Sequence, residues 1–373
     1  MSMELTDVTI REAAQMPGRS YDRDQRIDAG LAIDRLGVDR IQTGFPAAGE
    51  VERAVTAALS ARVDAETVAI ARALEGDVAA ALEADADVVE VFAPLSDLHL
   101  EYDVGKSRGE VLEMLAAAVD QVRDAGAIAR VGVVDAFRTD VRHLRTLFDR
   151  FPDVRRIGLA DTVGCCGPPT VRSTLDGLDA DPDRVSVHFH NDIALGVANV
   201  LAAYERGVGN ADVSVAALGE RVGNPALEEV VVAGDLEHDE TFGVETDRLI
   251  PAAEEVLDAL GESVSDRKPV LGREAVRHEA GLHTAVMLEE PATFEPFDPA
   301  RFGGERVLVF GEGTGRGGAT KLLQRAGVEP TDDAVETFLA LLAERGPLDR
   351  SEAETLAREE LGDRGGTASG DGG

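Results

Sequence analysis

The sequence predicts an α/β protein, a (β/α)8 TIM barrel followed by a mainly helical C-terminal region. Short apolar, β-branched segments alternate with longer segments of helical apolar spacing from the N-terminus to about residue 236. Eight such pairs in roughly 235 residues match the usual size of a parallel eight-stranded barrel. Polar motifs also lie where barrel enzymes carry their active-site residues, at the ends of the strands. A doubly wound open sheet is the second interpretation, because it usually contains fewer strands.

The predicted strands are short and β-branched, and they are Glu4–Thr9, Val38–Thr43, Thr67–Ala71, Val88–Phe92, Ala129–Val134, Val154–Leu159, Arg184–Phe189 and Ala211–Val215. The clearest helical segments between them are Asp24–Leu36, Glu50–Ala61, Gly109–Ala125 and Ala194–Arg206. Six strands end in polar motifs, which are Arg11-Glu12, Gly44-Phe45-Pro46, Ser96–His99, Asp161–Gly164, His188 with His190, and Gly219–Asn224.

The pattern changes near residue 240, and we predict three regions. Residues 1–240 form the barrel, residues 241–361 form C-terminal helical subdomains with a linker, and residues 362–373 form a disordered Gly-rich tail. Predicted elements of the second region are a helix at Glu245–Gly261, a strand at Arg306–Phe310, and helices near Ala319–Ala326 and Asp332–Arg345.

Composition limits the partners of this chain. The formal net charge is -34, which argues against binding to nucleic acid or to anionic membrane surfaces. No apolar segment approaches the roughly 20 residues that span a membrane, and the N-terminus does not resemble a signal peptide. The two adjacent cysteines form no disulfide or metal-binding pattern, so we expect a cytoplasmic protein. The acidity favours a halophilic source, because concentrated salt screens self-repulsion.

Two histidines close together in the seventh predicted strand are candidates for metal binding. His188 and His190 are separated by one residue, so their side chains emerge on the same face of the strand. Paired imidazoles followed by Asn191 and Asp192 can bind a divalent metal. The alternative is two ordinary polar residues at a strand end. We favour the metal interpretation, because the chain has only seven histidines.

A glycine-rich segment, Gly313–Gly318, fits the G-x-G-x-x-G pattern of dinucleotide-binding turns. It follows a predicted strand and opens a helix, as that pattern requires. No second strand follows within the unit, however, because Val328–Thr331 leads into another helix. We therefore predict a tight turn in preference to a cofactor site.

The motifs together resemble those of a known enzyme family. Asp7–Gln15, Ser186–Asp192 and Gly219–Asn224 resemble the signatures of the metal-dependent barrel acyltransferases, which include homocitrate, 2-isopropylmalate and citramalate synthases. Arg277–His283 with Phe294–Pro299 resembles the segment that separates these synthases from lyases and aldolases on the same barrel. The resemblance extends to about residue 325. It implies condensation of acetyl-CoA with a 2-oxo acid.

The resemblance also implies a metal site and a nearby cation. Glu12, His188 and His190 match the metal ligands, with Asn224 close by, and such a site suits Zn, Mn or Mg. Arg11 would lie beside the oxyanion that develops during condensation. The alternative for Arg11 is a salt bridge at the barrel mouth.

Other residues match the substrate pocket and the base. By resemblance, Gln15 orients these groups, and Thr162 donates a hydrogen bond to the substrate carboxylate. Glu90 stands where the family usually has a substrate-binding His, and its charge would repel a carboxylate. His278 matches the general base, which the family delivers from the partner subunit of a homodimer. The alternative for His278 is a surface histidine.

The chain departs from the family at two positions that assist the base. Val134 and Phe294 replace the family's Glu and Tyr, and neither can polarise an imidazole. Three hypotheses therefore remain open. The first is a divergent acetyl-CoA-dependent synthase, the second a metal-dependent carbon–carbon lyase or aldolase, and the third a catalytically impaired metal-binding paralogue.

Overall fold

The computed structural model of the protein describes residues 3–362, and its central feature is a closed parallel barrel. The eight strands are hydrogen-bonded in sequence order, and β1 closes the barrel by pairing in parallel with β8, with Glu4 opposite Asn210. The predicted TIM barrel is confirmed. The strands are β1 Glu4–Asp7, β2 Arg40–Gly44, β3 Glu66–Arg72, β4 Val88–Pro94, β5 Ile128–Val134, β6 Ile157–Asp161, β7 Val185–Phe189 and β8 Asn210–Val213.

Helices follow the strands along the chain. They are α1 Thr9–Ala13, α2 Arg23–Asp34, α3 Glu50–Ser60, α4 Glu75–Glu83, α5 Asp97–His99, α6 Arg108–Asp124, α7 Val141–Arg150, α8 Pro168–Gly177, α9 Gly196–Tyr204, α10 Leu227–His238 and α11 Leu249–Leu260. Several begin with side-chain caps. Ser107, for example, accepts a hydrogen bond from the amide of Glu110, whose carboxylate accepts one from the Ser107 amide in return.

All eight strands differ from their predicted bounds by one to three residues at one or both ends, and two of these differences affect the site. β1 ends at Asp7 instead of Thr9, because the Asp7 carboxylate accepts hydrogen bonds from the amide and the hydroxyl of Thr9, both at 2.9 Å. This turn starts α1 and brings the following residues to the barrel mouth. β6 spans Ile157–Asp161 rather than Val154–Leu159, so Asp161 lies at its end.

The interior of the barrel combines an apolar layer with buried ion pairs near the amino ends of the strands. Glu4 contacts the guanidinium groups of Arg40 and Arg156, at 2.7 and 2.9 Å. Both arginines are buried. Buried charges of this kind need partners. The ion pairs lie at the amino ends of the strands, and the predicted site lies at their carboxyl ends, at the other end of the barrel.

The first compact unit covers Met1–Val264 and continues past the predicted boundary at residue 240. The reason is α11, which packs against α2 and buries Ile250, Val256 and Leu257. The second unit starts at Ser265. Its elements are β9 Arg277–His278, α12 Gly281–Met287, β10 Val307–Phe310, α13 Arg316–Arg325, α14 Asp332–Arg345, β11 Leu348–Asp349 and α15 Arg350–Leu361.

The second unit has its own small sheet and core. β10 pairs in parallel with β9 and antiparallel with β11. Phe310 and Phe338 are fully buried in a cluster with residues of α13, α14 and α15. The glycine-rich segment Gly313–Gly318 forms the turn into α13, and the chain returns to β10 only through the antiparallel β11, so the unit is not a dinucleotide-binding βαβ unit.

Two further predictions concern membrane-spanning segments and the C-terminal tail. Among residues 3–362, no helix has the length and apolar character needed to cross a membrane. The predicted disordered tail, residues 362–373, lies outside the described residues except for Gly362.

Candidate active site

Three side chains at the barrel mouth form a cluster that could hold a metal ion. Glu12 lies on α1, directly after β1, whereas His188 lies near the end of β7 and His190 just past it. One ligand atom from each residue lies within 4.8 Å of the others. The Nε2 atom of His188 is 3.4 Å from Glu12 Oε1 and 3.4 Å from His190 Nε2. The predicted trio is therefore assembled from two distant parts of the sequence.

Two neighbouring residues orient His188. The Asp212 carboxylate, on β8, is 3.0 Å from His188 Nδ1, which leaves Nε2 directed towards Glu12 and His190. A carboxylate on the second ring nitrogen of a metal-binding histidine fixes both tautomer and ring orientation. Asn224 Nδ2 lies 3.3 Å from His188 Nε2 and donates a hydrogen bond to the Phe189 carbonyl.

Burial and neighbouring charges shift the pKa values of the three side chains by different amounts and in different directions. Burial opposes ionisation of Glu12, but the Arg11 charge and His188 outweigh it and hold the pKa of this carboxyl well below its usual range. Burial also lowers the pKa of His188, yet Asp212 and Glu12 prevail and raise it to about 9. Burial and the neighbouring His188 charge lower the pKa of His190 to about 3. At neutral pH, Glu12 is thus anionic and His190 neutral, the forms that bind metals, whereas His188 is protonated and must release a proton when a metal binds.

The residues present fit a divalent metal. Among the described residues, none gives the two buried Glu12 oxygens or Asn224 Oδ1 a hydrogen bond of ordinary geometry. Buried polar atoms normally have partners, so these acceptors are suited to an additional ligand. A carboxylate with two imidazoles is a donor set used for Zn and for other divalent ions.

Arg11 lies beside this trio, and Thr162 lines the adjoining cavity. Arg11 forms an ion pair with Glu12, and its Nε donates to Gln42 Oε1 at 2.6 Å. The ion pair places a guanidinium next to the cluster. It is also the salt bridge at the barrel mouth that was the alternative interpretation of Arg11. The Thr162 hydroxyl accepts a hydrogen bond from the Asp135 amide at 2.8 Å, so its own proton is free to donate.

A cavity of about 220 Å³ leads from this cluster into the barrel. The predicted residues that line it are Arg11, Glu12, Gln15, Glu90, Thr162, His188 and His190. Its apolar walls include Ile70, Phe92, Val134 and Ala160. The structure therefore brings together seven of the nine predicted site residues, and Asn224 contacts His188.

Glu90 forms part of this cavity's lining, directed into the barrel. Its Oε1 atom lies close to Gly132 and Gly158, where a Cβ would be 2.9 and 3.7 Å away. Its Oε2 atom is 3.5 Å from Nε of Arg130, and burial raises the pKa of Glu90 although Arg130 opposes the shift. Arg130 Nη2 donates to the Ser186 hydroxyl at 2.9 Å. The cavity thus carries a carboxylate close to a buried guanidinium.

His278 belongs to the second unit, where it lies on β9 with Leu308 as its partner on β10. Burial lowers the pKa of its imidazole, and His283 and Arg306 act in the same direction, while Glu295 opposes them. The ring of His283 stacks on Phe294 with centroids 4.0 Å apart. His278 is therefore neutral at neutral pH and able to accept a proton.

Three residues of the site were not predicted from the sequence. Asp212 and Arg130 lie inside strands that read as ordinary apolar segments, and Ser186 belongs to the Ser186–Asp192 motif but was given no role of its own. The available signal was alternation, because Asn210 and Asp212 occupy one face of β8, and Arg130 is a charged residue within an apolar strand. A charge inside a barrel strand needs a partner, and here that partner belongs to the site.

Comparison with protein-family models covers most of the chain. Residues 2–256 match the model described as HMGL-like. Residues 270–346 match the model described as homocitrate synthase post-HMGL domain-like.

Named relatives share about a third of their residues with this chain. The homocitrate synthase AksA of Methanopyrus kandleri is 36% identical over 367 residues, which cover 96% of this chain and 92% of that protein. The "probable 2-isopropylmalate synthase" of the same organism is 36% identical over 92% of this chain and 70% of that protein.

Solved structures resemble the barrel. The HMG-CoA lyase of Bacillus subtilis aligns with a TM-score of 0.63 and 20% identity, covering 71% of this chain and 96% of the lyase. The lyase of Pseudomonas aeruginosa aligns with a TM-score of 0.62 and 22% identity over 70% of this chain and 94% of the lyase. At this identity the likeness concerns the fold.

Proposed function

The chain belongs to the HMGL-like family, and we propose that it condenses acetyl-CoA with a 2-oxo acid and releases CoA. One observation carries the proposal. Glu12, His188 and His190 converge on a cavity that also holds Arg11. The match of the second unit to a homocitrate synthase segment supports a synthase over the lyase alternative.

In this proposal the metal-binding cluster and the residues around it each contribute to activation of the 2-oxo acid. A divalent metal, Zn, Mn or Mg, held by Glu12, His188 and His190 with Asn224 beside them, would polarise the keto group. Asp212 keeps His188 Nε2 directed at the cluster. Arg11 supplies a fixed positive charge next to the oxygen on which negative charge develops, where such a charge is most effective.

His278 acts as the general base in this proposal. Its imidazole takes a proton from the methyl group of acetyl-CoA, and the resulting enolate carbon forms a bond to the keto carbon. The π bond of the keto group breaks, and its oxygen becomes an alkoxide that takes up a proton to give the hydroxyl group of the product. Water then cleaves the thioester and CoA leaves as the thiol. The lowered pKa of His278 keeps the ring neutral and ready to accept the proton.

The cavity walls select the 2-oxo acid. Thr162 has a free hydroxyl proton for the substrate carboxylate, and Gln15 lines the entrance. Deeper in the cavity, Glu90 would repel a second carboxylate at the far end of the substrate, whereas Ile70 and Phe92 suit an apolar side chain. We therefore propose that a 2-oxo monocarboxylic acid is preferred.

Activity can be tested directly by thiol release. The purified protein is incubated in concentrated KCl with acetyl-CoA, one divalent metal and pyruvate, 2-oxoisovalerate or 2-oxoglutarate. Free thiol should appear with at least one oxo acid and disappear after chelation. Absence of release with every combination of metal and oxo acid would refute the proposal.

We also propose that the protein is a homodimer in which His278 serves the partner's cavity. Complementation tests this arrangement, because His278→Ala and Glu12→Gln are each inactive in the proposal. Mixed and refolded together, the two variants form hybrid dimers with one intact site, and about a quarter of wild-type activity should return. No recovery in the mixture would show that His278 does not act in trans.

The residues at positions 134 and 294 support a second candidate function, that of a catalytically impaired paralogue. Val134 lines the cavity at the end of β5, where an acidic side chain would be needed to polarise the base, and Phe294 lacks a hydroxyl. Loss of such assistance costs about 10²- to 10⁴-fold in rate. If the wild type is inactive and Val134→Glu with Phe294→Tyr creates activity, the impaired alternative holds. Turnover by the wild type excludes it.

A further inference from the structure

The floor of the catalytic cavity carries a carboxylate that can accept further hydrogen bonds. Glu90 lines the cavity, and its side chain is only 14% exposed. Among residues 3–362, no group donates a hydrogen bond to this side chain. Arg130, its ion-pair partner, has its Nε atom 3.5 Å from Oε2, which is longer than an ordinary hydrogen bond. Buried acceptors normally have a partner, so this carboxylate is suited to a donor supplied by the ligand.

The second polar group of this floor, the Ser186 hydroxyl, has a proton to donate. Its oxygen accepts a hydrogen bond from Arg130 Nη2 at 2.9 Å and another from Asn210 Nδ2 at 2.7 Å. A hydroxyl has two lone pairs and one proton, so both lone pairs are occupied and the proton remains. Because Ser186 lines the cavity, its hydroxyl is placed to donate to a ligand.

Two glycines create the space between Glu90 and Ser186. Gly132 on β5, Gly158 on β6 and Ser186 on β7 are register partners, so they form one row across the barrel wall. A Cβ on Gly132 would lie 2.9 Å from Glu90 Oε1, and one on Gly158 would lie 3.7 Å from it. Ser186 is one strand further along this row, about 4.8 Å away. The glycines therefore leave room for one small group between the carboxylate and the hydroxyl.

This space lies deeper in the barrel than the metal-binding cluster, at a distance that a short substrate can span. Ser186 and His188 are two residues apart on β7, so their side chains share a face and are separated by about 7 Å along the strand. A 2-oxo acid whose keto group lies at the cluster reaches the space with a chain of about four or five carbon atoms. Ile70 and Phe92, which line the same cavity, would pack against its methylene groups.

We propose that the preferred 2-oxo acid carries a hydroxyl group near its far end, which donates a hydrogen bond to Glu90 and accepts one from Ser186. This inference rests on the proposed function and names the substrate class of the same site. A hydroxyl group both donates and accepts, so it satisfies the two side chains at once. Its bond to Glu90 is the stronger of the two, because a carboxylate is a charged acceptor.

Other groups at the far end of the substrate fit this floor less well. A methyl group fills the space but leaves the carboxylate and the Ser186 proton desolvated and unpaired. A second carboxylate has no proton to donate, and the charge of Glu90 repels it. An ammonium group donates but does not accept, so the Ser186 proton stays unpaired, and the guanidinium of Arg130 repels it. The hydroxyl group is therefore the class of group that this floor favours.

Binding measured without acetyl-CoA tests the inference apart from turnover. The probes are 4-hydroxy-2-oxobutanoate and 2-oxopentanoate, which have equal numbers of heavy atoms and differ in a terminal hydroxyl or methyl group. Each is titrated calorimetrically into the full-length protein with Mn²⁺ at one fixed KCl concentration. The hydroxy acid should bind at least about tenfold more tightly, because the methyl group leaves both buried polar groups unpaired. Equal affinity, tighter binding of 2-oxopentanoate, or no binding of the hydroxy acid would overturn the inference.

Glu90→Met and Ser186→Ala test the two contacts separately. The ratio of the two affinities should fall about tenfold in Glu90→Met and about threefold in Ser186→Ala, because the bond to the charged group is the stronger. A ratio taken within one variant cancels any loss that affects both probes. Ser214→Ala is the matched control, since Ser214 is a buried serine directly after β8 and is not among the residues that line the cavity. It should keep the wild-type ratio, whereas wild-type ratios in both Glu90→Met and Ser186→Ala would overturn the inference.

The outcome is separable from that of the proposed function. Tighter binding of the hydroxy acid, with no thiol release from any oxo acid including 4-hydroxy-2-oxobutanoate, would refute the synthase proposal and leave this inference intact. Thiol release from other oxo acids, with equal binding of the two probes, would do the reverse.

Discussion

Among single residues, Glu12 and His190 make the clearest test of the candidate metal site. Zn²⁺ or Mn²⁺ should raise the melting temperature of the wild type, because a ligand present at 100 times its dissociation constant stabilises the native state by about 2.7 kcal/mol. In Glu12→Gln and His190→Gln this metal-dependent increase should disappear, since each variant removes one of the three ligands. The measurement is thermal unfolding with metal and with chelator.

His238→Gln provides the matched control. His238 lies at the end of α10 and packs at a tilt against the ring of Tyr204, away from Glu12, His188 and His190 in the chain and in its contacts. It should retain the full metal-dependent shift. A metal-dependent shift of wild-type size in Glu12→Gln and His190→Gln would contradict the site.

Glu90→Gln should change the preference among 2-oxo acids. Removal of the Glu90 carboxylate frees Arg130 to attract a distal carboxylate of the substrate, because the two side chains are 3.5 Å apart in the present structure. The ratio of kcat/KM for 2-oxoglutarate to kcat/KM for pyruvate should rise about tenfold, equivalent to about 1.4 kcal/mol. Glu220→Gln, at the half-exposed cavity mouth, should change this ratio little. An unchanged ratio in Glu90→Gln would show that Glu90 does not select the substrate.

Single residues also show how far the sequence could predict this site. Glu12, His188 and His190 were predictable because their motifs and their strand-end positions agree. Asp212 and Arg130 were not, because their roles depend on which strands become neighbours in the closed barrel. Asp212 contacts His188 only because β8 places it 3.0 Å from the imidazole. The sequence order of the strands alone does not provide that distance.

Among the structural elements, the loop after β8 is the most constrained part of the site. Gly223 has a φ of +76°, and a Cβ there would lie 1.6 Å from the carbonyl oxygen of Ala217. Ala216 and Ala217 also have positive φ angles, at +56° and +62°. The Asn191 amide donates to the Gly223 carbonyl at 2.8 Å, which ties this loop to the segment after β7. Backbone strain of this kind concentrates at functional sites.

Gly223→Ala should therefore disturb both stability and metal binding. Gly243 provides the matched control, because its φ is +77° and a Cβ there would meet nothing within 4 Å. Gly243→Ala should cost about 1–2 kcal/mol, the ordinary penalty of a left-handed alanine. Gly223→Ala should cost at least about 2 kcal/mol more and weaken metal binding, since the backbone next to Asn224 must move. Urea unfolding and metal titration measure both effects, and equal costs for the two variants would contradict the steric argument.

The element boundaries illustrate what periodicity can and cannot predict. Asp332–Arg345 has the predicted bounds because Thr331 caps the helix at a recognisable position. β1 is shorter than predicted because the Asp7 side chain turns the chain, and this local hydrogen bond has no periodic signature. Short elements such as β9 and β11, each of two residues, depend on pairing with β10 and were not predicted.

At the scale of the whole molecule, length and strand count were enough to predict the barrel, because eight strand–helix units close in only a few ways. The end of the first unit was less predictable. α11 follows the last strand–helix pair and continues the barrel unit to Val264, since its apolar face packs on α2. A helical pattern shows that an apolar face exists but does not identify the surface it covers.

The net charge of -34 leads to a prediction about salt. With 71 acidic and 37 basic side chains, repulsion among uncompensated carboxylates exceeds the attraction within exposed ion pairs. The screening length falls from about 10 Å at 0.1 M salt to about 3 Å at 1 M, so added KCl should relieve the repulsion and raise the melting temperature by at least about 5 °C. Most of the increase should occur below about 1 M, where screening changes most. A steady linear rise to 3 M would instead indicate exclusion of salt from the protein surface, and a flat or falling melting temperature below 1 M would contradict a salt-adapted surface.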